Sequence, residues 1–212
     1  MKFFVNFLSA FRITAAFAII PTLLFGMYWT SFILFLLGSI SDWFDGFLAR
    51  KYNVCTKLGG VMDHIGDKLL VVNTLIMLTI VMTFALAQIP VPGVQIWMII
   101  VPTIIMIARE LYISGLREFL GTQKIEMPVP KARFSMGKIK TTIQMISICA
   151  LLLMMCMPSL TVFPHYAFAA SYAFYVFAYI GVICLWLALI ASVWSATQYT
   201  FTFAEKLKQI KD

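Results

Sequence analysis

Three long blocks of the chain, Ile13 to Ser41, Leu69 to Ala108 and Thr141 to Ala204, contain no Asp, Glu, Lys or Arg. A helix needs about 18–20 consecutive apolar residues to cross a bilayer. The blocks therefore have room for one span, two spans, and two or more. With the Pro, Gly and polar clusters between them, they predict an all-α polytopic membrane protein of six transmembrane helices, a single membrane domain over residues 1–212. Span 1 runs from about Ser9 to Tyr28, with a turn at Trp29-Thr30, and span 2 from about Ser31 to Lys51. Span 3 covers about Thr56 to Ala87, and Gln88 to Gly93 forms a turn by its Pro and Gly content. Span 4 covers about Val94 to Gly121, with a kink expected at Pro102. A polar loop over Thr122 to Arg133 leads to span 5, about Phe134 to Met157. Pro158 and Pro164 bracket the next turn. Span 6 runs from near His165 to near Glu205, before a basic tail of Lys206, Lys208 and Lys211. It is longer than a crossing requires, so it tilts, projects or breaks.

Six spans place both termini on one side. Lys2, the Lys51 to Lys57 loop, the Lys124 to Arg133 loop and the basic tail all fall on that side, and the three opposite loops carry no Lys or Arg. The positive-inside rule makes that side the cytoplasm. Asp42, Asp45, Asp63, Asp67, Arg109, Glu110 and Arg117 nevertheless sit inside predicted helices. Ionisable groups at membrane depth are costly and face a bundle interior or a wet cavity. The pattern thus describes an apolar bundle with a polar, charged cavity open to the cytoplasm.

Composition supports the membrane reading. Hydrophobic residues make up 62% and charged residues 12%, against about 45–50% and about 25% in soluble domains. The formal charge of +7 reports orientation, and no soluble basic stripe with interleaved aromatics suggests nucleic acid. Cys55, Cys149, Cys156 and Cys184 form no CxxC pair, which gives no sign of disulfides or zinc. Arg12 interrupts the first apolar run and no small-x-small cleavage site follows, so this segment reads as a retained first helix.

The sharpest chemical feature straddles spans 2 and 3. Asp42 and Asp45 are three apart, Asp63 and Asp67 four apart, so each pair shares a helix face. A short loop makes the two helices antiparallel neighbours, and the pairs can converge at one depth. Four packed carboxylates repel and raise one another's pKa values. Hard divalent cations such as Mg²⁺, Mn²⁺ or Ca²⁺ resolve that, and two of them can clamp a phosphoryl group during displacement. Gly46 and Gly59 keep the facing surface small. The bland alternative pairs the aspartates with Arg50, Lys51, Lys57 or Lys68; a proton or cation transporter is the other rival, although inverted repeats and broken helices are not evident.

The string D-x2-D-G-x2-A-R-x8-G-x3-D-x3-D, from Asp42 to Asp67, resembles the motif of the CDP-alcohol phosphatidyltransferase family at every position. The family has six spans with the motif across helices 2 and 3, so the likeness covers most of the chain. It implies that Asp42, Asp45, Asp63 and Asp67 hold divalent metal, Mg²⁺ or Mn²⁺ and two ions, with Asp67 also deprotonating the incoming hydroxyl. It implies a CDP pocket lined by Gly46, Ala49, Arg50 and Gly59, and a homodimer. Asn6, Ser9 and Arg12 resemble the family's N-terminal N-x-x-T-x-x-R element, with Ser9 in place of Thr, in contact with the nucleotide or its phosphates. One departure is His64, where relatives carry Pro; beside four aspartates a histidine could be a metal ligand or base, but about 100° round the helix from Asp63 the favoured reading is a neighbour turned away.

Two further strings, Ile107 to Glu118 and Gly137 to Thr141, resemble the bacterial phosphatidylglycerophosphate synthases, which implies CDP-diacylglycerol as donor and sn-glycerol 3-phosphate as acceptor. Arg109, Arg117, Lys138 and Lys140 start or end helices where they can hold an anionic phosphate. They could instead anchor to lipid headgroups, Arg109 least of all because it lies about eight residues deeper than Arg117. Serine, inositol, inositol phosphate or a second phosphatidylglycerol remain alternative acceptors, and a non-catalytic transporter the alternative class.

Overall fold

The computed structural model describes residues 2–52, 57–122, 136–162 and 164–211, with side chains for 7–41, 60–63, 65–119, 121, 139–162 and 167–204. Its elements are six α-helices: α1 (Lys2–Leu24), α2 (Tyr28–Tyr52), α3 (Lys57–Gln88), α4 (Trp97–Thr122), α5 (Met136–Leu160) and α6 (Pro164–Lys211). No strand occurs among the described residues. Five helices contain apolar stretches long enough to cross a membrane, within Phe7–Leu24, Gly60–Gln88, Trp97–Phe119, Ile139–Leu160 and Ala167–Ala204. The described part of α2 adds the shorter apolar stretch Tyr28–Ser41, after which Asp42 begins the charged segment.

Three boundaries differ from expectation. The first turn lies at Phe25 to Met27, and Trp29 and Thr30 belong to α2. Gly26 takes φ +71°, a left-handed conformation that glycine enters freely. Phe25 N–H and Met27 N–H then donate to the carbonyls of Pro21 and Thr22 at 2.9 and 2.8 Å, closing α1 before the tryptophan is reached. Pro158 does not end α5, which continues to Leu160. The basic tail is the last part of α6, which runs unbroken for 48 residues.

α1 packs between α2 and α3, α5 lies along α6, α4 leans on α6, and α2 meets α5. The core between them includes Ile19, Phe35, Leu70, Ile148, Leu151 and Leu185, all at most 1% exposed. Close approach uses glycine. Leu70 of α3 sits over Gly38 of α2, and Leu151 of α5 over Gly181 of α6, so these small residues pack helices within one chain. Large apolar side chains such as Ile33, Ile76, Ile104 and Ile190 face outward, as a lipid solvent permits and water does not. Hydroxyls on these helices return to their own backbone: Thr74, Thr79 and Thr83 donate to the carbonyls four residues back. That satisfies polar groups where no water would.

Polar side chains sort by end. At one end, Trp29 Nε1 donates to Ser159 Oγ (2.9 Å) and Tyr179 OH to the Pro92 carbonyl (2.8 Å). Every described ion pair lies at the other, where α1, α3 and α5 begin and α2, α4 and α6 end.

Candidate active site

Two groups of charged side chains occupy the charged end. The first joins α1 to α3. Arg12 is fully buried, and its Nη1 donates to Asp63 Oδ1 at 2.8 Å and to Asp67 Oδ1. The four-residue spacing thus puts both carboxylates on one face, as expected. Gly66 lies between them, and a Cβ there would stand 3.4 Å from Arg12 Cδ; a bare backbone lets the guanidinium stem lie along α3. Asn73, six residues beyond Asp67, fixes the same two helices by donating to the Ala16 carbonyl at 3.1 Å. Ser9 is buried one turn before Arg12. The Asp63 and Asp67 side chains are 43% and 40% exposed, so both can still be reached by a ligand.

Asp63 and Asp67 fit a hard divalent cation. They offer carboxylate oxygens, and two carboxylates that already meet on one cationic nitrogen can meet on a metal ion. No group of three or more metal-ligating side chains occurs among the described residues. The side chains of Asn6, Asp42, Asp45, Ala49, Arg50, His64 and Lys138, with Gly46 and Gly59, lie outside those described.

The second group joins α3, α4, α5 and α6. Arg109 Nη1 donates to Glu110 Oε1 at 3.1 Å, and Lys140 Nζ of α5 is ion-paired with the same oxygen. Arg109 Nη2 donates to Ser195 Oγ of α6 at 3.0 Å. Arg117, one helical stretch outward, donates to Tyr199 OH at 3.0 Å and lies 5.0 Å from that ring's centroid, within cation–π range. Lys68 reaches from α3 to Ser114 Oγ at 2.5 Å. It lies within electrostatic range of Arg109 and Arg117, as Lys140 does of Arg109 and Lys68.

Lys140 and Arg109 are 5% and 11% exposed, each turned into the bundle toward Glu110, whereas Arg117 is exposed. The four cations and Glu110 leave three surplus positive charges among these five side chains. Two cations sharing one carboxylate oxygen are within about 6 Å, where like charges repel by about 3 kcal/mol at an effective dielectric of 20. Glu110 offsets that repulsion between its own two partners, and the surplus charge that remains is what a further anion would neutralise. Arg109 also keeps a donor in reserve, since its buried Nε has no hydrogen-bond partner among the described residues. Beside this cluster an open, largely apolar groove of about 480 Å³ runs between α4 and α6, lined by Ile105, Arg109, Tyr112, Thr197, Thr200 and Phe201.

Expectation and structure differ most on Lys68, Ser195 and Tyr199. Lys68 figures in the sequence only as a conceivable partner of the aspartates, yet it turns to α4 while Arg12 takes that place. Ser195 and Tyr199 have no local signal that sets them apart from the other hydroxyl and amide residues near them, Ser192, Thr197, Gln198 and Thr200.

The model of the CDP-alcohol phosphatidyltransferase family matches residues 3–194. The chain belongs to that family. Among curated proteins it is similar to CDP-diacylglycerol–glycerol-3-phosphate 3-phosphatidyltransferases. That of Blochmanniella floridana is 27% identical over 208 residues, 97% of this chain and 93% of that one. That of Rickettsia bellii is 37% identical over 155 residues, 70% of this chain and 74% of that one. That of Shigella flexneri is 30% identical over 174 residues, 81% of this chain and 78% of that one. Family membership makes the chain a transferase of phospholipid biosynthesis and bears out the resemblance carried by the aspartate motif.

Proposed function

We propose that the chain transfers the phosphatidyl group of CDP-diacylglycerol to sn-glycerol 3-phosphate, giving phosphatidylglycerophosphate and CMP. The observation that carries this reading is the meeting, at one end of an apolar bundle, of the aspartates of α3 with a cation-rich cluster contributed by α3, α4, α5 and α6. A donor nucleotide and an acceptor phosphate, both anionic, need such a partition.

In this reading Asp42, Asp45, Asp63 and Asp67 hold two divalent ions, Mg²⁺ or Mn²⁺. When bound, these supply positive charge against the diphosphate of the donor lipid. Asn6, Ser9, Arg12, Gly46, Ala49, Arg50 and Gly59 line the CDP side. Arg109, Arg117, Lys138 and Lys140 hold the acceptor's phosphate, with Arg109 Nε the unspent donor. Asp67 takes the proton of the acceptor hydroxyl. That oxygen forms a bond to the lipid-side phosphorus, and the bond from this phosphorus to the bridging oxygen breaks. The electron pair leaves with CMP, and Arg50 steadies the charge that develops on it.

The buried Arg12 bears on this chemistry by position. It holds two carboxylates at a fixed separation and lies where the donor's diphosphate must approach them. The charge bias of the loops supports both termini in the cytoplasm, the charged cavity open to that side and, in a bacterium, the inner membrane as location. One domain over residues 1–212 and a homodimer complete the reading, the dimer on family likeness alone.

The test is CMP release by the purified, detergent-solubilised protein given CDP-diacylglycerol, Mg²⁺ or Mn²⁺ and single acceptors. Release that depends on glycerol 3-phosphate is expected. Release with serine or inositol instead would overturn the acceptor and keep the chemistry; no release with any acceptor from folded protein would return the weight to a transporter.

A further inference from the structure

We infer that Lys68 is a direct ligand of the acceptor's phosphate, joining from the aspartate helix the cations of α4 and α5. The inference rests on the phosphatidyl transfer proposed above and adds a residue to it.

The argument begins with what Lys68 does not do. Its chain neighbour Asp67 turns to Arg12, and Lys68 has no carboxylate partner among the described residues. Glu110, one turn from Ser114, is the nearest carboxylate along α4, yet it pairs with Arg109 and Lys140 through Oε1 and makes no described ion pair with Lys68. Lys68 is bonded instead to a neutral hydroxyl, Ser114 Oγ. That hydroxyl donates its own hydrogen to the Glu110 carbonyl at 2.6 Å, so a lone pair is left for the ammonium. Ser114 thereby fixes where Lys68 points without cancelling its charge, and two of the three ammonium hydrogens remain to be given.

The position on α3 supplies the second part. Consecutive Cα atoms are 3.8 Å apart, and successive helical side chains diverge by about 100°. Asp67 therefore faces the α1 side while Lys68 faces the α4 side from the same helical turn. A short acceptor with phosphate at one end and hydroxyl at the other can touch both. Arg109, Arg117 and Lys140 can grip a phosphate, but none is carried by the helix that bears the base. Lys68 ties the gripped end to the reacting end through a rigid element.

The same ammonium could bind the diphosphate of the CDP-lipid, and the experiment separates the two. Steady-state CMP release is measured with the full-length protein and with Lys68→Met, Lys68→Arg and Ser114→Ala, varying each substrate in turn. Loss of a charge-assisted hydrogen bond predicts an about ten- to one-hundredfold rise in KM for glycerol 3-phosphate in Lys68→Met. KM for CDP-diacylglycerol should stay put and kcat should fall less than about threefold. Lys68→Arg should recover most of the loss, and inorganic phosphate should become a weaker competitor of glycerol 3-phosphate in parallel. A rise confined to KM for CDP-diacylglycerol, or no change in either KM, overturns the assignment. If Lys68→Met does not fold, Ser114→Ala decides: it frees the ammonium but keeps the charge, and an unchanged KM for glycerol 3-phosphate sinks the idea. Should the wild-type protein release no CMP with glycerol 3-phosphate, the functional reading fails separately. Thermal protection by inorganic phosphate, present in wild type and lost in Lys68→Met, would then still uphold the anion site, and equal protection of both would refute it.

Discussion

Replacing Arg12 with Gln should tighten divalent-metal binding while removing a buried cation. One guanidinium nitrogen serves both Asp63 and Asp67. With charge centres about 4 Å apart and an effective dielectric of 20, each pair attracts by about 4 kcal/mol. Both carboxylates are about two-fifths exposed, and solvent screening reduces such pairs to about 1 kcal/mol each. A metal ion arriving at the same oxygens meets a competitor worth about 2 kcal/mol in all, a factor of about thirty in apparent affinity. The assay is thermal unfolding in detergent as Mn²⁺ is titrated, because a ligand of the native state raises the midpoint in step with occupancy. Arg12→Gln should unfold at lower temperature without metal, and its half-maximal Mn²⁺ concentration should fall by roughly ten- to thirtyfold, the estimate of the preceding pair energies. An unchanged or higher half-maximal concentration would refute the reasoning and make Arg12 a support of the metal-bound geometry.

Four further variants test contacts described above. Asp67→Asn should abolish CMP release while CDP-lipid binding persists; normal turnover in that variant excludes the base role. Arg117→Ala should raise KM for glycerol 3-phosphate by about tenfold, the scale of one hydrogen bond to a charged group, and an unaltered KM would detach α6's Tyr199 pairing from acceptor binding. Gly181→Ala should cost about 1–3 kcal/mol through overpacking, because its Cβ would lie 2.7 Å from Leu151 Cγ and 3.3 Å from that residue's backbone nitrogen. Gly38→Ala should cost less, since the clash at 2.8 Å is with the tip of Leu70, which can rotate away; equal thermal shifts for the two would contradict this packing.

The helices were legible because their ends coincide with charge and with Pro or Gly clusters, and lipid leaves little else to read. The exceptions are local. The turn at Gly26 was misplaced by three residues because Trp29 and Thr30 carry the polarity, whereas the backbone demand falls on the glycine. Pro158 reads as a stop, yet α5 runs two residues past it to Leu160; the ring fixes a helical φ and removes its own N–H bond, and the helix ends within a turn of it. At the site, Asp63 and Asp67 were legible through spacing within one helix. That Arg12, a candidate nucleotide contact by resemblance, pairs with them was not legible, because it is 51 and 55 residues away and only the packing of α1 on α3 brings it there. The cations of α4 and α5 were recognisable one by one, but Glu110's role in gathering Arg109 and Lys140 needs α4 and α5 side by side. Lys68 shows the limit most plainly: one residue of helical rotation separates Asp67, which meets Arg12 of α1, from Lys68, which meets Ser114 of α4.

α6 is 48 residues long, about 72 Å at 1.5 Å per residue. Even inclined by about 40°, the upper end of what spanning helices adopt, a 30 Å hydrocarbon core takes up only about 26 residues. Nearly half of α6 is therefore more than a crossing uses, and Ser195 and Tyr199, which hold Arg109 and Arg117, lie in the half of the helix toward the charged end. A reaction that joins a lipid to a polar phosphate brings together reactants that never share a solvent. A helix that overshoots the bilayer gives the water-borne one a protein wall to follow down to the depth where the other is confined.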